Sequence, residues 1–333
     1  MCSSDLVMAD TPLLAVDRLT TRFFTSRGVV GAVEGISFDV ASGEAVGIVG
    51  ESGSGKSMTA LSVLRLVPIP GRIVGGEVRY RGRNLLSLSD GEMRAVRQRD
   101  IAMVFQDASS FLNPIIRVGD QIAEGIAADG LSAADVRAKV LAALRSVHVP
   151  DPERVADSYP MQISGGMQQR AVIAAAIVRQ PALIIADEPT TALDASVQFQ
   201  ILSLLLELRA KSNMALVLIS HDLAVVSGVC ARVYVMYAGQ IVESGPTAAL
   251  YRNPSHPYTR ALLAAMLDPL KDSERLDVLP GSIPDLLAPP GGCRFHPRCP
   301  QAMAKCAEIE PPVFAIGGGQ TAKCWLHEKA VAA

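Results

Sequence analysis

The chain has 333 residues, 49% of them apolar and 19% charged, with 31 Lys plus Arg against 33 Asp plus Glu and a formal net charge of −2. That balance excludes a disordered chain, which could not bury so much apolar surface, and disfavours a nucleic-acid binder, which would carry a basic excess. The longest unbroken apolar run, residues 171–178, lies between Arg170 and Arg179. A spanning helix needs about 20 such residues, so the chain is expected not to cross a bilayer.

Length sets a prior of roughly two domains. Residues 1–11 read as a loose leader, with Met8 as an alternative start. No basic start followed by an apolar core opens the chain, so a cytosolic setting is expected. In chain order, residues 13–16 and 31–40 read as short strands. Residues 44–49 are strand-like and run into Gly50-Glu51-Ser52-Gly53-Ser54-Gly55-Lys56-Ser57. A helical pattern over 58–66 stops before Pro68. Strands are expected at 75–80 and at 101–105, the second ending at Gln106. An alanine-rich helical pattern covers 118–148, and a further helix covers 165–178. Residues 182–186 and 215–220 read as buried strands of a parallel sheet, with a helix over 197–210 between them. Residues 233–237 and 240–244 read as a hairpin around Gly239. This alternation predicts an α/β sheet with helices on its faces. After about Arg252, Pro and Gly become frequent and the rhythm fails, which places a boundary there. Arg79, Arg81, Arg83, Arg94, Arg97 and Arg99 are interleaved with Glu77, Asp90, Glu92 and Asp100, and read as a solvated face.

The segment 50–57 matches G-x-x-x-x-G-K-[ST]. Its glycines let backbone N–H groups turn inward as a nest for phosphates, and the following helix points its positive end at the same place. Lys56 can reach the β- and γ-phosphates, and the Ser57 hydroxyl can ligate Mg²⁺. Downstream, an apolar strand ends in Asp187-Glu188. Asp187 is placed to hold the Mg²⁺ shell, and Glu188 to polarise an attacking water.

Ile163-Ser164-Gly165-Gly166-Met167-Gln168-Gln169-Arg170 resembles the signature of ATP-binding cassette (ABC) ATPases, with Ile163 where Leu is usual. The resemblance covers roughly residues 12–252. It implies an ABC-type P-loop NTPase: a RecA-like α/β core, an antiparallel β subdomain and an α-helical subdomain at about 107–170. Ser164, Gly165, Gly166 and Gln168 would cap the γ-phosphate held by a partner cassette. By the same resemblance Gln106 is the Q-loop glutamine that senses Mg²⁺ and γ-phosphate. Ala192-Leu193-Asp194 is the D-loop, His221 is the switch histidine, and Phe23, or its neighbour Phe24, stacks on adenine. Gly50, Ser52, Gly53, Ser54, Gly55, Lys56 and Ser57 form the ATP cradle, and Ser57, Gln106 and Asp187 hold Mg²⁺. The implied partners are a second ATPase subunit, two transmembrane permease subunits and, indirectly, an external solute-binding protein, with no nucleic acid. The implied location is the cytoplasmic face of the plasma membrane.

Further wording resembles the oligopeptide, dipeptide and nickel importer branch. It comprises Phe105-Gln106-Asp107-Ala108-Ser109-Ser110-Phe111-Leu112-Asn113-Pro114, Asn253-Pro254-Ser255-His256-Pro257-Tyr258-Thr259, and Cys293-Arg294-Phe295-His296-Pro297-Arg298-Cys299-Pro300 with the later Cys306 and Cys324. Residues 253–333 would then be the branch's small, irregular C-terminal extension. In such proteins a groove beside the Q-loop receives a helix of the membrane subunit, with Ala108, Phe111, Leu112 and Ile115 as candidates for that contact or for subdomain core. The resemblance implies an ATPase that drives peptide uptake. Nickel or another solute is the alternative, and a soluble ABC ATPase of DNA repair or translation, or a non-hydrolysing regulatory module, are the rivals.

Cys293, Cys299, Cys306 and Cys324 fall within 32 residues. Zinc ribbons use pairs two to four apart, and this set lacks them. Four thiolates can hold a [4Fe–4S] cluster, which is the first expectation. Zinc and free or redox-paired thiols are the alternatives. His296 and His327 read as surface residues, with membership of the cysteine cluster as the alternative, and Cys2 and Cys230 as ordinary thiols.

Overall fold

Two sheets organise the chain. The structure, a computed structural model, describes residues 11–106, 111–191, 194–265 and 281–331. The leader, Asp107, Ala108, Ser109 and Ser110 of the Q-loop wording, and Ala192 and Leu193 of the D-loop lie outside the described residues, save Thr11 of the leader.

The strands are β1 (Leu14–Thr25), β2 (Gly28–Val40), β3 (Ala45–Val49), β4 (Gly71–Tyr80), β5 (Arg83–Asn84), β6 (Ile101–Val104), β7 (Leu183–Asp187), β8 (Ala215–Ser220), β9 (Arg232–Tyr237), β10 (Gln240–Pro246), β11 (Phe314–Gly317) and β12 (Gln320–Ala322). A four-stranded antiparallel sheet has the order β2-β1-β4-β5, and an eight-stranded sheet the order β11-β12-β10-β9-β3-β8-β7-β6. Strands β9, β3, β8, β7 and β6 run parallel. Strands β3, β7 and β8 are buried at every position, as parallel strands covered on both faces must be. Their side chains alternate between two cores. Leu216 and Leu218 join one, and Ala215, Val217 and Ile219 the other, the period of two that a pleated strand imposes.

Three elements differ from the sequence expectation for physical reasons. Strand β1 extends to Thr25, well past residue 16. Its register shifts between Val16 and Leu19 and again before Thr21, and Arg18 has a φ of 46°. The bulges move the apolar positions by one and break the alternation that marks a strand. The 118–148 pattern is two helices, Val118–Glu124 and Ala133–Ser146, separated by a short 3-10 turn. Gly130 there has a φ of 66°, and Ser132 caps the second helix by accepting from the Asp135 N–H at 3.2 Å. The supposed solvated face contains the helix Asp90–Arg99, closed by a Ser89/Glu92 capping box and burying Met93 and Val96.

The C-terminal segment is joined to the main sheet. The β11–β12 hairpin adds to its edge, with Glu243 opposite Ala322 and Ser244 opposite Thr321. Glu243, 1% exposed, fixes this junction. Its carboxylate accepts from the N–H groups of Ser255 (2.7 Å) and His256 (2.8 Å) and from Gln320 Nε2 (2.7 Å). Removing it strands two buried backbone donors at once, while Gln320 Nε2 keeps the Asn253 carbonyl and the Ser255 hydroxyl as acceptors. We expect Glu243→Ala to destabilise the fold by about 3 kcal/mol, read as a lowered urea midpoint. An unchanged midpoint would show that this network does not hold the extension in place.

Candidate active site

The loop after β3 turns back on itself before the helix Lys56–Val63 begins. Two of its glycines are required by close approach: a Cβ on Gly50 would lie 2.2 Å from the Met236 carbonyl oxygen, and one on Gly55 2.5 Å from that of Ala32. Gly55 also takes a φ of 102°, which favours glycine. The turn delivers Lys56 to the interior, 4% exposed. Its ammonium donates to the carbonyls of Gly50 (2.8 Å) and Glu51 (3.0 Å) and lies 3.7 Å from Glu188 Oε1. Burial lowers its pKa, against the opposing pull of Glu188 and Asp187.

The end of β7 supplies the facing wall. Ser57 Oγ donates to Asp187 Oδ1 at 3.0 Å, and burial pushes the Asp187 carboxyl above the usual carboxylate range. A hydroxyl beside a buried carboxylate is an all-oxygen donor set of the kind Mg²⁺ takes. Glu188 has a φ of 45°, a left-handed conformation that a non-glycine residue keeps only when its surroundings impose it. Its N–H donates to the Ile219 carbonyl at 3.0 Å. Its carboxylate accepts from Gln106 Nε2 (3.3 Å) and Thr191 Oγ1 (2.9 Å) and lies 3.1 Å from His221 Nδ1. Four strand ends of one parallel sheet thus bring Lys56, Gln106, Asp187, Glu188 and His221 together. Thr191 was not singled out from the sequence; its place three residues after Glu188 was the available signal. A cavity of about 750 Å³ is lined by Ser52, Gly53, Gly55, Lys56, Ser57, Gln106, Glu188, Thr191 and His221, together with Ala32, Leu262 and Leu286. Ser54, fully buried, sits behind the loop.

Other expected residues lie elsewhere. Ser164 caps the helix Gly165–Ile177, accepting from the Met167 N–H at 3.4 Å, and Gln168 Nε2 donates to the Pro160 carbonyl at 2.8 Å. Ser164 and Gly165 are exposed, and neither they nor Gly166 and Gln168 line the cavity. Asp194, also exposed, caps the helix Ala195–Ser212 by accepting from the N–H groups of Ser196 and Val197 at 3.0 Å. Phe23 is half-buried against Gly71, where a Cβ would meet its ring at 2.8 Å, and Phe24 is 46% exposed beneath Arg72. Neither ring lines the cavity.

Cys293, Cys299, Cys306 and Cys324 line one small cavity together with His256 and His296. Four converging thiols match the donor count of a [4Fe–4S] cluster. The cavity measures about 10 Å³, room for a single water, and does not accommodate such a cluster as it stands. Among the described residues no group of three or more His, Cys, Asp or Glu is placed to hold a metal ion. Burial raises the pKa of Cys293 and Cys299 and pushes Cys324 up to about 11. His327 Nε2 bonds the Ser255 carbonyl oxygen at 3.0 Å, and His296 Nδ1 that of Cys293 at 2.9 Å. Cys230 is a lone buried thiol pushed up to about 12 by burial.

Residues 33–191 match the family described as ABC transporter, and residues 242–306 the C-terminal region of oligopeptide/dipeptide transporters. A probable peptide ABC transporter ATP-binding protein of Sinorhizobium fredii is 48% identical over 322 residues, covering 96% of both chains. The dipeptide transport ATP-binding protein DppD of Escherichia coli is 46% identical over 313 residues, covering 94% of this chain and 96% of its own. Among solved structures, a dimeric post-hydrolysis state of the ATP-binding cassette MJ0796 bound to ADP and Pi is similar with a TM-score of 0.64 and 26% identity, over 70% of this chain and 98% of that cassette. Among the described residues no helix is long and apolar enough to cross a membrane.

Proposed function

The chain belongs to the ATP-binding subunits of ABC transporters, and on that premise we propose that it powers the import of di- and oligopeptides through separate membrane subunits. As a member of that family it binds ATP with Mg²⁺ and hydrolyses it. The observation that carries the mechanism is the convergence of Lys56, Ser57, Gln106, Glu188 and His221 around one cavity, with Asp187 held behind Ser57 by its hydroxyl.

In this reading N–H groups of the loop beyond Glu51, whose own N–H is held by Tyr258, and the Lys56 ammonium bind the β- and γ-phosphates. Ser57, Asp187 and Gln106 would hold Mg²⁺, which neutralises phosphate charge when bound. Glu188 takes the proton of the attacking water, and Gln106, Thr191 and His221 orient its carboxylate. His221 also contacts the γ-phosphate. Ser164, Gly165 and Asp194, which are exposed, and Gly166 and Gln168, which are half-buried, all lie outside the lining of the chain's own cavity and serve the site of a second cassette, so two subunits close around two ATP molecules. Closure moves a pair of permease subunits. A groove of about 500 Å³ lined by Met103, Phe111, Leu112, Ile116, Gln121 and Val172 supports their docking beside Gln106, and Ile115 is 81% exposed nearby. The working location is the cytoplasmic face of the membrane, with an external solute-binding protein delivering peptide.

Affinity capture from detergent-solubilised membranes tests this. Two integral membrane subunits are expected to co-purify, with an ATPase rate that rises when a peptide-loaded binding protein is added. Stimulation by a nickel-loaded binding protein alone would replace the peptide assignment. Recovery with nucleic acid or ribosomes and no membrane subunit would overturn the transport reading. The sequence reading of a thiolate-held centre, a [4Fe–4S] cluster ahead of zinc, has the shared cavity of the four cysteines in its favour and the size of that cavity, about 10 Å³, against it, so that the cavity must widen to hold either. Iron, sulfide and zinc analysis of protein purified without oxygen tests it, and colourless, metal-free protein would refute it.

A further inference from the structure

Glu51 occupies a position of the phosphate loop for which the motif requires no side chain, yet every handle of this residue is held. Its carboxylate receives a two-pronged ion pair from Arg298, at 2.9 Å and 3.1 Å. Its N–H donates to the Tyr258 hydroxyl at 2.9 Å, and its carbonyl accepts from Lys56 at 3.0 Å. Arg298 and Tyr258 both belong to the C-terminal segment. Arg298 sits in the short turn His296–Arg298 between Cys293 and Cys299, is 7% exposed, and lies over the Tyr237 ring. Tyr258, fully buried, packs against Tyr237 and Phe295.

Glu51 also lines the nucleotide cavity. An unpaired carboxylate there would oppose a polyphosphate. A guanidinium fork neutralises that charge and fixes its direction, which a point charge such as Lys does less well. The Tyr258 bond removes one N–H from the phosphate nest and orients the Gly50–Glu51 peptide, leaving its carbonyl, that of Gly50, aimed at the Lys56 ammonium at 2.8 Å.

We infer that Arg298 is a positioning residue for ATP: it neutralises and anchors Glu51, so that the C-terminal segment sets the affinity of the phosphate loop. The inference rests on the nucleotide-site assignment above, and Lys56→Ala run in parallel reports on that assignment independently.

The test is steady-state ATPase and nucleotide titration on the full chain. Arg298→Gln should raise KM for ATP about tenfold, the size of one charged hydrogen bond, with kcat within about twofold. Glu51→Gln/Arg298→Gln should recover most of that loss, because no unpaired carboxylate remains. Arg298→Lys should fall between the parent and Arg298→Gln. Lys305→Gln, which removes an ion pair with Glu328 on the outer surface of the extension, should leave KM unchanged and controls for general loosening. A soluble Arg298→Gln protein with the parent's KM overturns the inference. So does a double variant as impaired as Arg298→Gln alone. If Arg298→Gln does not fold, Arg298→Lys and the double variant decide, and equal KM values for both and the parent overturn it.

Discussion

Glu188→Gln is expected to bind ATP within a few-fold of the parent and to turn it over about 10²–10³-fold more slowly, the usual contribution of a general base. The substitution is nearly isosteric. It keeps an oxygen for the Thr191 hydroxyl and for His221, which approach the carboxylate at 2.9 Å and 3.1 Å, and it keeps the backbone at the same left-handed conformation. What it removes is the ability to accept a proton from water. It also removes the negative charge 3.7 Å from Lys56, which leaves the ammonium freer to bind phosphate, so affinity should be held or slightly raised. Titration with nucleotide and single-turnover hydrolysis separate the two effects. Turnover within tenfold of the parent would take Glu188 out of the base role, and a parallel loss of binding would make it a structural residue.

The legible part of this site is the part whose chemistry constrains its neighbours in sequence. A nest of backbone N–H groups needs glycines at fixed offsets, a strand before and a helix after, so Gly50, Gly55, Lys56 and Ser57 could be read together. Asp187 and Glu188 could be read because a wholly apolar strand precedes them. Gln106 and His221 have no such local constraint. Their order relative to the other motifs revealed them, and their meeting at Glu188 is a property of the sheet, in which β6, β7 and β8 lie side by side. The Asp90–Arg99 helix was missed although Ser89 and Glu92 carry its capping signal, because six arginines and four acids masked the two apolar positions it buries. Strand β1 was cut short by its bulges. The grip of the C-terminal segment was illegible for a further reason: Arg298 and Glu51 are 247 positions apart, and no periodicity or spacing relates them. A Pro-rich, irregular composition marks the extension and its boundary but not its attachment, which strand pairing to β10 and the buried Glu243 carboxylate provide.

Lys56→Ala is expected to abolish measurable ATP binding while leaving the fold intact. The ammonium is buried, and burial lowers its pKa more than Glu188 and Asp187 raise it. The sign is that of a cation disfavoured by folding: at neutral pH the unfolded chain holds this proton more readily than the folded one, so the charge opposes folding when no nucleotide is present. Its removal relieves that penalty while forfeiting the bonds to the Gly50 and Glu51 carbonyls, and the two effects oppose each other. Thermal stability without ATP should therefore lie near the parent's. The difference appears with ligand. A nucleotide present at a hundred times its Kd stabilises the parent by about 2.7 kcal/mol, and the variant should show none of this, because Glu188 then faces the phosphates without the ammonium that lies 3.7 Å from it in the parent. Melting curves with and without ATP–Mg²⁺ read both predictions from one sample. A variant that melts with the parent's full ATP-dependent shift would remove Lys56 from the phosphate site. One that is unfolded without nucleotide would show that the ammonium's bonds to Gly50 and Glu51 outweigh its desolvation.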